Sequence, residues 1–418
     1  MTVECIVFCG NPINKKRGHN MWNISIDAKK AFSTCTALPI HETDEDWEIT
    51  LREAKEEGED IHTTLKAELE EAKAELLQVL PSRFIPFLEN GTLNQPVLPK
   101  DVRNDYLQWV RKQEEIFEKL LEAAYDQSEK AAANLPPTAQ AVLTEGFHDA
   151  IIERVEREGE NLHLFINTES GFYNKSYVHL VFQNVLTEIA DMPLQTGQYM
   201  IYDELVRIKD GYALRVLFDA PESEWTISME GIEASCYYRP AFYTIYYNEE
   251  MAEELSFEDY MQQLNPDHNY WLITPDVSCP IKFDSNKVIL ENGKMSLEED
   301  KIIISVGNSR YEYNMEEYHP INFIFSETYE DPYAQNNEPL PQEEIESAIL
   351  GSDLELQVRA WNTLFANPMN HVDLINNVLL QTEISEENEM LLAVFISDFN
   401  EKGILTDEVI QKFQAMID

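Results

Sequence analysis

The chain has 418 residues, of which 31 are Lys or Arg and 77 are Asp or Glu, for a net charge of −46. A surface of that sign repels phosphate backbones and anionic lipid, which argues against binding to nucleic acid or to a membrane surface, unless the chain mimics nucleic acid before a protein that reads it. With 44% apolar and 11% aromatic residues it is globular rather than disordered, and its length predicts two or three domains.

No run approaches the ~18 consecutive apolar residues that would span a bilayer. The basic residues near the start follow an apolar stretch, the reverse of an export signal. The 5 cysteines are odd in number and far apart, which fits a reducing cytoplasm. Cys5 and Cys9 have no second pair or nearby His to complete a zinc site. No cofactor motif stands out, so none is expected.

Residues 14–22 read NKKRGHNMW. Lys15-Lys16-Arg17-Gly18 can be encoded AAA AAA AGG GGA, a purine-rich stretch of the kind ribosomes pair with, and His19 and Asn20 give a spacer before Met21. Residues 1–20 are therefore expected to be translated leader, the alternative being a basic N-terminal arm. Without them the net charge becomes −48.

From Asp44 to Leu80, Trp47, Leu51, Ala54, Ile61, Leu65, Leu69, Leu76 and Leu80 recur at helical spacing, predicting one long amphipathic helix bent at Gly58. Thr43 or Asp44 caps its start. A Pro- and Gly-containing connector leads to a second helix over Lys100–Ala132, and the two stripes suggest an antiparallel hairpin spanning 21–135. Pro136 and Pro137 are expected to end the helical part.

The period then changes. Residues 147–156, 162–166, 176–182, 212–219, 224–230 and 234–247 are short, aromatic and β-branched, and Gly, Asn and charge separate them. They predict one antiparallel sheet in an α+β domain over 136–330. Residues 256–264 read as a short helix, and ENGK (291–294) as a type I′ hairpin. A polar linker over 331–342 precedes an all-helical tail of four or five helices, 343–418. Residues 335–418 hold sixteen Asp or Glu against three Lys or Arg.

Nucleophile signatures, zinc-protease motifs and phosphate loops are missing. His148-Asp149 is a metal or acid–base candidate, although a capping turn before a strand explains it as well. His163 and His179 alternate with apolar neighbours in two strands, so they either share a site on one sheet face or are separately solvated. Glu59 and His62 have helical ligand spacing, but the 100–132 helix has no His to match. Asp203-Glu204, and Asp219 with Glu222 and Glu224, are clustered carboxylates that could bind a divalent cation through oxygen, although chance supplies such clusters in so acidic a chain. Cys236 reads as a small packed side chain. Tyr237, Tyr238, Arg239, Tyr243 and Tyr246 form either a contact platform on a half-exposed sheet or ordinary sheet packing.

The stretches MWNISIDAKKAF, LPIHETDEDW, LPSRFIPFLENGTLNQPVLPKDVRNDYLQW, FHDAIIERVEREGENLHLFINTESGF and FDAPESEWTISMEGIEASCYYRP resemble the family called domain of unknown function 4085, over roughly 21–248. The resemblance implies a bacterial cytosolic protein and brings no activity, cofactor or catalytic residue. The expected protein is α+β, with an N-terminal helical hairpin, a central antiparallel sheet domain and a small helical tail. Its expected role is non-enzymatic binding of a protein partner, plausibly basic, in the manner of an immunity or defence protein. The alternatives are a metal-assisted hydrolase using the central histidines and an oligomeric adaptor.

Overall fold

In the computed structural model, which describes residues 21–38, 40–171, 173–248, 256–284, 287–385 and 388–417, side-chain caps set the first helices. The Ser25 hydroxyl accepts from the Ala28 N–H at 3.0 Å and opens α1 (Ile26–Thr36). Thr43 and Asp46 form a reciprocal capping box that opens α2 (Asp44–Glu57). Residues 1–20, with the proposed leader and Cys5 and Cys9, lie outside the described residues.

The expected long helix is two. Gly58 takes the left-handed conformation, φ 78°, and its N–H caps the Ala54 carbonyl. The chain restarts as α3 (Ile61–Val79). A short α4 (Ile85–Glu89) in the connector leads to α5 (Lys100–Ala132), whose bounds match the sequence reading. The stripes of α3 and α5 are covered by a shared cluster with the connector, including Leu69, Leu76, Phe84, Leu93 and Tyr106. Helix α1 packs on both α3 and α5, so a third helix completes what was expected as a two-helix hairpin. Nor do the prolines end the helical part. Pro137 starts α6 (Pro137–Glu145), because a first-turn position needs no N–H donor.

Six strands follow: β1 (Ile151–Glu158), β2 (Asn161–Asn167), β3 (Tyr177–Ala190), β4 (Met200–Ile208), β5 (Gly211–Asp219) and β6 (Glu222–Tyr237). Their order is β1-β2-β3-β6-β5-β4. The two outer strands then meet at one corner. Asp149 and Ile152 donate to the Met200 and Gln198 carbonyls, and Met200 and Gly197 donate to those of Ala150 and Ile152. One face of the sheet, with Leu164, Leu180, Leu214, Trp225 and Ile227, forms a core that α6 joins through Ala139, Val142 and Leu143. On its other face Leu217 packs with Ile24, and with Phe117 and Ala124 of α5.

The single expected sheet is also two, and the chain divides into compact units Met1–Cys236 and Tyr237–Asp418. The second unit has its own seven-stranded sheet, ordered β12-β11-β10-β9-β8-β7-β13. Its strands are β7 (Tyr270–Ile273), β8 (Ser278–Asp284), β9 (Lys287–Leu290), β10 (Gly293–Glu298), β11 (Lys301–Val306), β12 (Ser309–Asn314) and β13 (Ile324–Ser326). Two helices, α7 (Ala241–Asn248) and α8 (Phe257–Gln263), accompany it. The ENGK hairpin exists, but its centre lies one residue early. Leu290 pairs with Gly293, so Glu291 and Asn292 form the loop, and of these only Asn292 has positive φ, 58°. Gly293 serves another purpose, since a Cβ there would collide with the Ser305 carbonyl of β11.

The tail comprises α9 (Gln342–Ile349), α10 (Leu354–Ala366), α11 (Val372–Gln381), α12 (Glu389–Glu401) and the short α13 (Asp407–Lys412) and α14 (Gln414–Ile417). They enclose a separate core around Trp361, Leu364, Ile375, Phe395, Phe399 and Phe413. No described helix is long and apolar enough to cross a membrane.

Candidate ligand cleft and paired histidines

Strand alternation sends Leu162, Leu164 and Ile166 of β2, and Val178, Leu180 and Phe182 of β3, into the core. His163, Phe165 and His179 therefore share the opposite face. Phe165 is the register partner of His179, and their rings stack with centroids 4.1 Å apart. The Arg154 guanidinium lies 3.8 Å from the Phe165 centroid. His163 Nδ1 and His179 Nε2 are hydrogen-bonded to each other at 3.0 Å.

A ring-to-ring hydrogen bond needs one donor and one acceptor nitrogen, so at least one member of the pair is neutral. Burial, helped by His163 and Arg154, pushes His179 down to about 4. His163 Nε2 is buried without a hydrogen-bond partner, and Glu158 comes only to 3.7 Å. Of the two sequence readings, the shared face holds. Among the described residues no three His, Cys, Asp or Glu side chains converge as metal ligands.

His148 and Asp149 occupy the turn that leads into β1. Asp149 is left-handed, φ 66°, and its N–H is held by the Met200 carbonyl at 2.9 Å. The His148 carbonyl accepts from the Tyr173 hydroxyl at 3.0 Å. His148 Nδ1 lies 3.1 Å from Asp149 Oδ2, and its ring meets Tyr202 edge-on at 5.7 Å.

This turn forms one wall of a cleft of about 240 Å³. Other walls come from Ile24, from Leu121, Ala124 and Tyr125 of α5, and from Ile201, Tyr202 and Asp203 of β4. Asp203 accepts the Phe147 N–H at 2.9 Å. Gly146, φ 80°, lies so close that a Cβ would stand 3.2 Å from Asp203 Oδ1. Burial lifts the Asp203 carboxyl to about 6, against the lowering effect of the Phe147 hydrogen bond.

The neighbouring carboxylates are used structurally. Glu204 accepts the Asn23 and Ile24 N–H groups at 2.7 and 2.9 Å and faces Arg215 at 3.6 Å. Arg215 also binds both Glu224 oxygens, at 3.0 and 3.1 Å, and the Ile24 carbonyl. Asp219 is paired with Lys29 at 2.7 Å. Sequence reasoning missed Tyr125, Tyr202 and Arg215. The adjacent Asp203-Glu204 pair held a usable signal, since neighbours in a strand point to opposite faces.

The tyrosine stretch is corrected. Strand β6 ends at Tyr237, and Tyr243 and Tyr246 sit on α7. Tyr237 is buried and packs on Trp271 at 5.2 Å, while Tyr246 is fully buried against Tyr260. Arg239 stacks over Tyr243 and Phe325 and donates to the Asn322 carbonyl at 2.7 Å. Tyr238 bridges in antiparallel fashion to Ser326 and its ring meets Tyr329. The group binds the start of the second unit to its own sheet rather than forming a sheet platform. The Glu59 and His62 spacing also dissolves, because Glu59 precedes α3 and His62 bonds Gln95 at 3.0 Å.

The first unit is thus an α+β assembly in which helices pack on both faces of an antiparallel sheet and frame a small cleft at its rim. Residues 26–229, from the start of α1 into β6, match the model of the family described as protein of unknown function (DUF4085). No curated protein and no solved structure matches the chain significantly.

Proposed function

We propose that the chain is a non-enzymatic binding protein of the bacterial cytoplasm whose acidic helical tail engages a basic protein partner. The supporting observation is how the tail uses its cations. Arg359 binds the Glu338 carbonyl at 2.6 Å and its carboxylate at 3.3 Å. Lys402 pairs with Asp398 at 2.6 Å. Lys412 donates to the Leu379, Leu380 and Thr382 carbonyls and closes the end of α11. All three cations of 335–418 are engaged, against sixteen carboxylates. Beside those carboxylates, Met390 and Val394 lie one turn apart on α12, 82% and 61% exposed. Apolar contact rimmed by charge is the usual make-up of a protein-binding face.

The test is retention of a basic partner on the immobilised chain at about 50 and about 500 mM salt, over which surface charge is strongly screened. Loss of most of the partner at high salt, together with weaker capture by a Met390→Glu, Val394→Glu variant, is expected. Equal retention at both salt levels, or capture confined to acidic proteins, would overturn the reading.

A further inference from the structure

The cleft between α5 and β4 holds a carboxylate, Asp203, with no ion pair among the described residues. The nearby cations are committed elsewhere: Lys29 to Asp219, Lys175 to Glu145, and Arg215 to Glu204 and Glu224. His148 directs Nδ1 to Asp149. Asp203 receives one backbone N–H, from Phe147, and Gly146 keeps the backbone pressed against that same oxygen. Its carboxyl group is therefore fixed in place before any ligand arrives.

The remaining walls are mainly apolar or aromatic, and Ser128, Thr144 and Glu145, the last paired with Lys175, add polar groups. Ile24, Leu121, Ala124 and Ile201 supply aliphatic surface, and Tyr125 and Tyr202 supply rings. Tyr202 is held by Phe117 at 5.4 Å, while Tyr125 is 53% exposed on α5. At about 240 Å³ the cleft is smaller than the sites that enclose drug-sized ligands, which excludes a nucleotide. An anion would meet Asp203 and a strongly negative chain. A metal ion would need several converging donors, and among the described residues no three His, Cys, Asp or Glu side chains converge.

A carboxylate without a paired cation, two aromatic rings and an aliphatic wall suit a cationic nitrogen on a short carbon skeleton. We propose that this cleft is a binding site for a small organic ammonium ion, with the nitrogen against Asp203 and the rings of Tyr125 and Tyr202, and the carbon skeleton along Ile24, Leu121 and Ala124. The site is separate from the tail surface and does not depend on the partner proposed for it.

The probes are choline, butylammonium and 3,3-dimethylbutan-1-ol, the last an uncharged isostere of choline, each titrated into the full chain by calorimetry. At least one cation should bind at least about tenfold more tightly than the alcohol, a difference a charge-specific site supplies. Asp203→Asn, which keeps an acceptor for Phe147, should lose that preference. Tyr125→Ala should weaken the cation several-fold without moving the thermal transition, and it decides the matter if the Asp203 variant does not fold. Binding of the alcohol as tightly as the cations would overturn the proposal. So would undiminished cation binding by the variants, or no cation binding up to about 10 mM, where an affinity is already very weak.

Discussion

Arg215 and Glu204 show how the fold accommodates charge it cannot expose. Both are almost fully buried, and Glu204 also accepts the Asn23 and Ile24 backbone N–H groups. Removing one member of such a pair strands the other. Arg215→Leu should therefore cost about 3–5 kcal/mol in urea unfolding, and a loss below about 1 kcal/mol would show that Glu204 is adequately held by backbone alone. The paired histidines make a pH prediction. His179 is pushed from 6.5 to about 4, so between those values the unfolded chain binds the proton and the folded chain does not. Stability from this residue is present above about 6.5 and declines as pH falls toward 4. Asp203 has the opposite sign: its carboxyl is raised to about 6, so its contribution falls as pH rises from 3.8 to 6. Urea midpoints at pH 7 and pH 5 should therefore drop less in His179→Gln than in the parent, and more in Asp203→Asn.

Helices α2 and α3 were readable as apolar periodicity, but their separation at Gly58 rests on a single left-handed residue. Nothing lies within 4 Å of a Cβ built there, so Gly58→Ala tests conformation alone. It should destabilise by about 1 kcal/mol with little change in helix content by circular dichroism. An unchanged stability would mean the break is set by packing instead. Where local pattern and tertiary environment agreed, as over Lys100–Ala132, the sequence located the element. Strand β4 was missed because Asp203-Glu204 interrupts its apolar alternation, and what makes that charge tolerable, Arg215, lies on the next strand. Helix α7 was mistaken for strand because its rings favour both states, and its burial against Tyr260 decides between them. The histidine pair was half legible: alternation placed both rings on one face, while their contact depended on the register of β2 with β3. The cleft was illegible because its members come from 24 to 203 and only folding assembles them.

Each unit of the chain has cores of its own, built in the first on the six-stranded sheet and the α3–α5 region and in the second on the seven-stranded sheet and the tail helices. A chain limited to residues 21–236 should therefore unfold cooperatively by itself; a broad, non-cooperative transition would show that it needs the remainder. With a net charge of −46 the folded state also bears considerable self-repulsion, which salt relieves. Thermal midpoints should rise between about 20 and about 300 mM sodium chloride, and a fall would mean that attractive ion pairs dominate. The exposed side of α12 matters most when that charge is withdrawn. Met390 and Val394 remain dispersed in water while every molecule repels its neighbours. On acidification through the carboxylate range, about pH 4 to 5, the repulsion fades and these side chains become adhesive patches, so a solubility minimum is expected there.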